Sequence, residues 1–130
     1  MEMRKTTDSY LTIGDENQII YYFERPQHTF PVIEVKRGQK TILKPSPGPI
    51  WSNIFIEIPT RPLELTLAWL NSGEKQDCAL HVIDNNARVL EKWRLQGARV
   101  LEHRVARSKI AGIEIIRMVV QYDWANREKK

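Results

Sequence analysis

Apolar and β-branched residues recur along this chain in short alternating runs separated by turn residues, the pattern of half-buried strands rather than long helices. Residues 10–17 read as a short strand ending in the turn residues Gly14, Asp15 and Asn17. A hairpin partner is expected at 18–24, rich in Ile, Tyr and Phe and closed by Pro26. Residues 32–36 form the next strand, with Pro31 marking an edge or bulge, and Arg37 and Gly38 turn the chain into 41–44. At 54–58, Ile54, Ile56 and Ile58 fall on one face and Phe55 and Glu57 on the other.

Residues 59–73 fit two periods. Leu63, Leu65, Leu67 and Trp69 alternate as in a strand, while Leu63, Leu67 and Leu70 are spaced as on one helix face. End signals favour a short helix: Thr60 as N-cap, Pro62 in the first turn, and the stop at Asn71, Ser72 and Gly73. Beyond it, strands are expected at 78–84 and 89–96, joined by a turn at Asn85 and Asn86, two residues that tolerate positive φ. Gly97 marks a bulge or bend before a strand at 98–105. The longest strand is expected at 113–124, with Ile116, Met118, Val120, Tyr122 and Trp124 on one face. The sum is a mainly β chain, an antiparallel β-barrel or sandwich with one short α-helix. Its divisions are a loose arm at 1–9, a single domain at 10–125 and a basic tail at 126–130.

The length of 130 residues allows one domain and no second of ordinary size. A hydrophobic share of 42% with 28% charged residues argues against a disordered, collagenous or membrane-spanning chain. Lys plus Arg number 20 against 16 Asp plus Glu, a net charge of +4 that permits nucleic-acid contact without requiring it. Arg127, Lys129 and Lys130 sit in the last four residues, so the body is only mildly basic. The single cysteine, Cys78, has no partner for an internal disulfide and reads as a small hydrophobe on a strand. The charged N-terminus lacks a signal-peptide core, and synthesis in a reducing cytoplasm fits best.

Chemistry is sparse. His28, His81 and His103 lack metal-ligand spacing. The six glycines are scattered, with no phosphate-cradling loop. The carboxylates Asp15 with Glu16, and Glu114 with Asp123, have no apolar pocket implied around them, and no serine lies in a nucleophile elbow. The expectation is no enzyme, no metal and no cofactor. One positive feature is a basic stretch, Arg94, Arg99, Arg104, Arg107 and Lys109, opposed only by Glu102. It reads either as a solvated face or as a lining that meets nucleic-acid phosphates or an acidic neighbouring subunit.

The order of elements adds a resemblance. Val89-Leu-Glu-Lys-Trp-Arg-Leu-Gln-Gly-Ala98, followed after a variable stretch by Ile113-Glu-Ile-Ile-Arg-Met-Val-Val-Gln-Tyr-Asp-Trp-Ala125, resembles the closing strands of tail tube proteins of contractile-tailed bacteriophages. There a strand of the type x-x-W-x-L-x-G-A precedes a long last strand ending near Y-D-W or Y-D-Y. Upstream, Val32-Ile-Glu-Val-Lys-Arg-Gly38, the loop holding Pro45, Pro47 and Pro49, and Ile54-Phe-Ile-Glu-Ile58 are similar to that family's strand, long hairpin loop and return strand. The helix ending in Ala68-Trp-Leu-Asn71 and the strand after it complete a likeness over residues 29–125.

The resemblance implies a β-barrel with a flanking helix, assembled as six-membered rings stacked into a hollow tube inside a contractile sheath. That tube conducts DNA, or a toxin in related injection systems. A tube-like adaptor or initiator at the baseplate or tail terminus is the same kind of part. Implied partners are copies of the chain itself, sheath and baseplate proteins, and DNA in passage, with no membrane and no small-molecule substrate. The implied location is the virion tail, made in the host bacterial cytoplasm. The inter-ring hairpin is expected at residues 36–49, with Lys36, Arg37, Gly38, Lys44, Pro45, Pro47, Gly48 and Pro49. Ile115, Val119 and Trp124 are expected at subunit edges. The competing function is a small oligonucleotide-binding β-barrel using the arginines of residues 94–109.

Overall fold

Alternation of apolar and polar residues gives each strand one inward face, and the strands curl around a single core built from those faces. The structure, a computed structural model, describes residues 7–45, 48–108 and 112–128. In chain order the elements are β1 (Asp8–Ile13), β2 (Glu16–Ile20), β3 (Tyr22–Phe23), β4 (His28–Thr29), β5 (Val32–Arg37), β6 (Lys40–Pro45), β7 (Ile50–Trp51), β8 (Ile54–Ile58), α1 (Glu64–Ser72), β9 (Gln76–Ile83), β10 (Val89–Arg107), β11 (Glu114–Gln121) and β12 (Trp124–Arg127). The expected class holds: an antiparallel β fold with one short helix.

An eight-stranded sheet runs in the order β2-β1-β9-β10-β11-β8-β3, with β12 added beside β10. Its end strands, β2 and β3, are consecutive pieces of one run, and between them the Tyr21 N–H donates to the Glu57 carbonyl at 2.9 Å. That run joins the two ends of the path and closes the barrel, which removes the exposed edges of an open sheet. The single strand expected at 18–24 therefore divides, because its two ends serve different neighbours. Leu11, Ile20, Phe23, Ile56, Leu80, Leu95, Met118 and Val120 fill the interior. Outside the barrel stand two small pairs, β4 with β7 and β5 with β6.

β10 is one continuous strand of 19 residues where two were expected. Its first half pairs with β9 and its second with β11, so it carries the chain from one half of the barrel to the other. Gly97 sits at the register shift between Leu95 and Ala98. The long strand expected at 113–124 instead breaks at Tyr122 and Asp123. There the Asp123 N–H bonds the Gln96 carbonyl at 2.9 Å, and the chain re-enters the sheet as β12. The break turns Trp124 outward, away from the face it was expected to share with Tyr122. Residues 126–128, expected in a tail, lie against β10: Asn126 and Arg127 pair with Arg94 and Trp93, and the Glu128 N–H bonds the Lys92 carbonyl at 2.9 Å. At the other end β1 starts at Asp8, two residues inside the expected arm.

The turn after β9 is organised by Asp84, whose carboxylate accepts the N–H groups of Asn86 and Arg88, both at 2.9 Å. The positive φ falls on Ala87, not on either asparagine.

Helix α1 begins four residues after Thr60, the expected cap. Pro62 biases its predecessor toward extended backbone, which delays the start. Leu63 occupies the N-cap with no capping side chain of its own. Its N–H instead donates to Gln18 Oε1 at 2.6 Å, and Glu16 accepts the amides of Leu65 and Thr66, both at 3.1 Å. A carboxylate at a helix N-terminus also meets the positive end of the helix dipole. The helix buries Thr66, Trp69 and Leu70, and Trp69 Nε1 donates to the Ala98 carbonyl at 3.0 Å. Leu63, Leu65 and Leu67 face outward. Glu16→Ala is expected to lose about 1–2 kcal/mol of unfolding free energy, the range for a lost cap, read by urea denaturation.

Candidate assembly surfaces

The β5–β6 hairpin is built by a two-residue turn at Gly38 and Gln39, with Gly38 at φ +63° supplying the positive φ such turns need. Lys36 pairs with Thr41 and Arg37 with Lys40 across the strands. Lys36, Arg37, Lys40 and Lys44 are all exposed. Val32 is 62% exposed and Leu43 65%, far more than a strand residue packed on its own domain. The two described prolines of the expected hairpin lie away from its Gly38–Gln39 turn. Pro45 pairs with Val32 at its base, Pro49 lies beyond β6, and Pro47 is outside the described residues. Gly48 is half-buried.

Of the three residues expected at subunit edges, Trp124 is exposed and Val119 half-buried. Ile115 has no exposed surface and presents nothing to a neighbour. It lies on the same side of β11 as Arg117, a side that is itself partly covered.

The four described arginines of the basic stretch are spread along β10. Arg94 lies in the half of β10 that pairs with β9 and Arg107 at its far end, where it pairs with β11. Arg94 hydrogen-bonds Glu128, Arg99 Nε donates to Gln121 Oε1 at 3.1 Å, and Arg107 donates to the Gly112 carbonyl at 2.9 Å. Arg104 is exposed opposite Arg117, and Lys109 is outside the described residues.

Two features have no counterpart among the expected sites. Glu57, only 5% exposed, accepts Arg117 Nε at 3.1 Å and its terminal nitrogen at 2.8 Å, while Ser108 Oγ donates to its other oxygen at 2.8 Å. A carboxylate between Ile56 and Ile58 is the sequence signal for such a pair, but its partner lies 60 positions away. The second feature is an aromatic groove of about 500 Å³ at the hairpin base, lined by His28, Trp51, Trp93 and Trp124 among others. His28 packs on Trp51 with ring centres 4.6 Å apart. Burial raises the Glu91 carboxyl, but hydrogen bonds from Arg25 and Trp93 outweigh it and hold the group below the usual carboxylate range.

His81 stacks on Tyr10, and burial with the nearby Lys92 lowers its pKa. Burial, with Asp77 beside it, pushes the Cys78 thiol up to about 12, so little thiolate exists at neutral pH. Cys78 is expected to resist a thiol reagent in native buffer and to react fully in denaturant, read by mass spectrometry. Among the described residues no group of His, Cys, Asp and Glu could hold a metal ion, and no helix is long and apolar enough to cross a membrane.

A closed antiparallel barrel with one flanking helix and a free-standing hairpin defines a tube-type fold, the one shared by tube and tube-terminator proteins of contractile systems. The chain is similar to the tube-terminating cap of the anti-feeding prophage at TM-score 0.68 and 18% identity, covering 94% of this chain and 88% of that one. It is similar to the sheath/tube terminator of the PVC extracellular contractile injection system at TM-score 0.67 and 19% identity, covering 93% of each chain. Hcp1 from Flavobacterium johnsoniae matches at TM-score 0.61 and 11% identity, over 95% of this chain and 96% of that one. At these identities the likeness is one of fold. No protein-family model matches the chain, and a sequence search of curated proteins finds no match.

Proposed function

We propose that this chain is a structural subunit of a contractile tail, assembling as six-membered rings that stack coaxially into a hollow conduit for DNA. Its partners are copies of itself and the sheath and baseplate proteins, and its place is the tail of a phage or phage-like particle. The observation that carries this reading is the fold likeness to a tube-terminating cap over 94% of this chain and 88% of that one. A matching likeness to a second terminator supports a ring at the end of the tube.

The apolar surface agrees. Val32, Leu43, Ile50 and Val105 on strands, and Phe30 just after β4, are each more than half exposed, more outward apolar surface than an isolated domain needs. Neighbouring subunits would cover it, and head-to-tail contacts that close generate rings. The arginines of β10 are spread along one strand and mostly bonded within the chain, so no observation favours the oligonucleotide-binding alternative.

Light scattering after size exclusion, with negative-stain imaging, tests the proposal. Rings of six 15.3 kDa copies, about 92 kDa, are expected. A chain that stays monomeric at every concentration, and binds single-stranded DNA with steep salt dependence, overturns it.

A further inference from the structure

Three of the chain's four tryptophans, Trp51, Trp93 and Trp124, line the groove at the hairpin base, where Pro26 and Pro49 add rigid rings that carry no N–H. Its volume of about 500 Å³ lies within the roughly 300–1,000 Å³ typical of ligand sites. His28 and Tyr122 pack on Trp51 with ring centres 4.6 and 5.8 Å away, and the Arg127 guanidinium lies 6.0 Å from the centre of the Trp93 ring. Trp124, 42% exposed, is the open indole of the three. Single-stranded nucleic acid needs several free aromatic faces for successive bases. One open indole beside proline walls instead suits a polyproline II segment, which docks in aromatic-lined grooves.

The polar groups of the groove narrow the choice of guest. Proline brings no N–H, so a proline-rich segment strands few donors when it leaves water, but its carbonyls need donors. Asn126 and Arg127, both exposed on the groove, offer them. Among the described residues Arg127 is the one Asp, Glu, Lys or Arg on the lining, and no ion pair reaches it. The Glu91 carboxylate feels the charge of Arg127 but is engaged by Arg25, at 3.1 and 3.2 Å, and by Trp93 Nε1 at 2.7 Å. A guest carrying a carboxylate therefore meets a guanidinium that no anion of this chain holds.

We propose that this groove binds a proline-rich, acid-bearing segment of a partner protein in the polyproline II conformation. Its prolines lie against Trp93 and Trp124, and a carboxylate of the segment pairs with Arg127. The chain's own proline run is a poorer guest, because it follows Lys44 and its last member, Pro49, already forms part of the groove wall. The proposal goes beyond the reading of the chain as a ring subunit and does not depend on it.

Calorimetric titration of the full-length chain with a synthetic hexaproline peptide flanked by glutamates tests this. Saturable binding with a Kd of about 100 µM or tighter is expected. The same peptide flanked by lysines is expected to bind at least about tenfold more weakly, because its cations meet Arg127. Trp124→Ala, at an exposed position, is expected to weaken the acidic peptide at least about tenfold. Arg127→Glu is expected to reverse the order of the two peptides, and circular dichroism checks that both variants fold. In nitrogen–proton correlation spectra of the unaltered chain, the indole signals of Trp93 and Trp124 should move on titration. That of Trp69, whose Nε1 donates to the Ala98 carbonyl inside the core, should stay. The proposal falls if the acidic peptide does not bind at about 1 mM, or if the lysine-flanked peptide binds the unaltered chain equally well. It falls also if a short oligothymidine shifts the two indole signals at lower concentration than the peptide, which would make the groove a nucleic-acid site. None of these results bears on whether the chain forms rings.

Discussion

Arg117→Ala is expected to remove about 3–5 kcal/mol of unfolding free energy, the usual cost of breaking a buried ion pair by deleting one partner. Glu57 would be left almost fully buried with Ser108 Oγ as its side-chain donor, where two guanidinium N–H groups now also serve it. The damage falls at a structural junction, since Glu57 and Arg117 are register partners on β8 and β11 and the Glu57 carbonyl accepts the Tyr21 N–H that closes the barrel. Glu57→Gln should cost less. The amide keeps the hydrogen bond with Ser108, and the Arg117 side chain, 20% exposed, still reaches water. Replacing both residues by leucine is expected to recover most of the loss, because an apolar pair avoids the desolvation that offsets the attraction. Urea unfolding curves with unchanged slope decide it. A loss below about 1 kcal/mol for Arg117→Ala would mean water reaches Glu57 and the pair behaves as a surface bridge.

What was legible in the sequence follows from the range of each interaction. Strands β8, β9 and β11 could be read from alternation alone, because burial of one face is a period-two signal carried by each strand itself. The helix could be recognised but not its start, since Glu16 and Gln18 cap it from β2, more than 40 positions upstream. The break at Tyr122 and Asp123 has no local signal; the Gln96 carbonyl imposes it from another strand. Closeness in sequence suggested a single basic stretch, yet its four described arginines are strung along one extended strand, and three of them bond different partners, Glu128, Gln121 and the Gly112 carbonyl. The hairpin was legible in outline because Gly38 marks its turn. The outward leucines of α1 were not, because Leu63, Leu67 and Leu70 share one helical spacing, yet Leu70 is buried while Leu63 and Leu67 are exposed. Only the packing of Thr66, Trp69 and Leu70 turns them outward.

Gly97→Ala carries the other large expected effect, and its cause can be separated into two parts. Gly97 has φ +62°, and its N–H donates to Asp77 Oδ1 at 2.9 Å, which fixes the bulge where β10 leaves β9. Any L side chain there costs about 1–2 kcal/mol for the left-handed backbone. A Cβ would also sit 2.1 Å from Asp123 Oδ2, far inside contact distance. The Asp123 side chain can turn away only by giving up its exposed bridge to Lys75. Together these predict a loss of about 1–3 kcal/mol, the range of a strained backbone with a relieved steric contact. Asp123→Ala alone should cost under about 1 kcal/mol, since its bridge to Lys75 is solvent-exposed on both sides. The double variant Gly97→Ala/Asp123→Ala should retain only the backbone part, about 1–2 kcal/mol, and so lose less than Gly97→Ala by itself. Strict additivity in a urea-unfolding cycle would rule out the clash and leave backbone strain as the whole reason for glycine at this crossing.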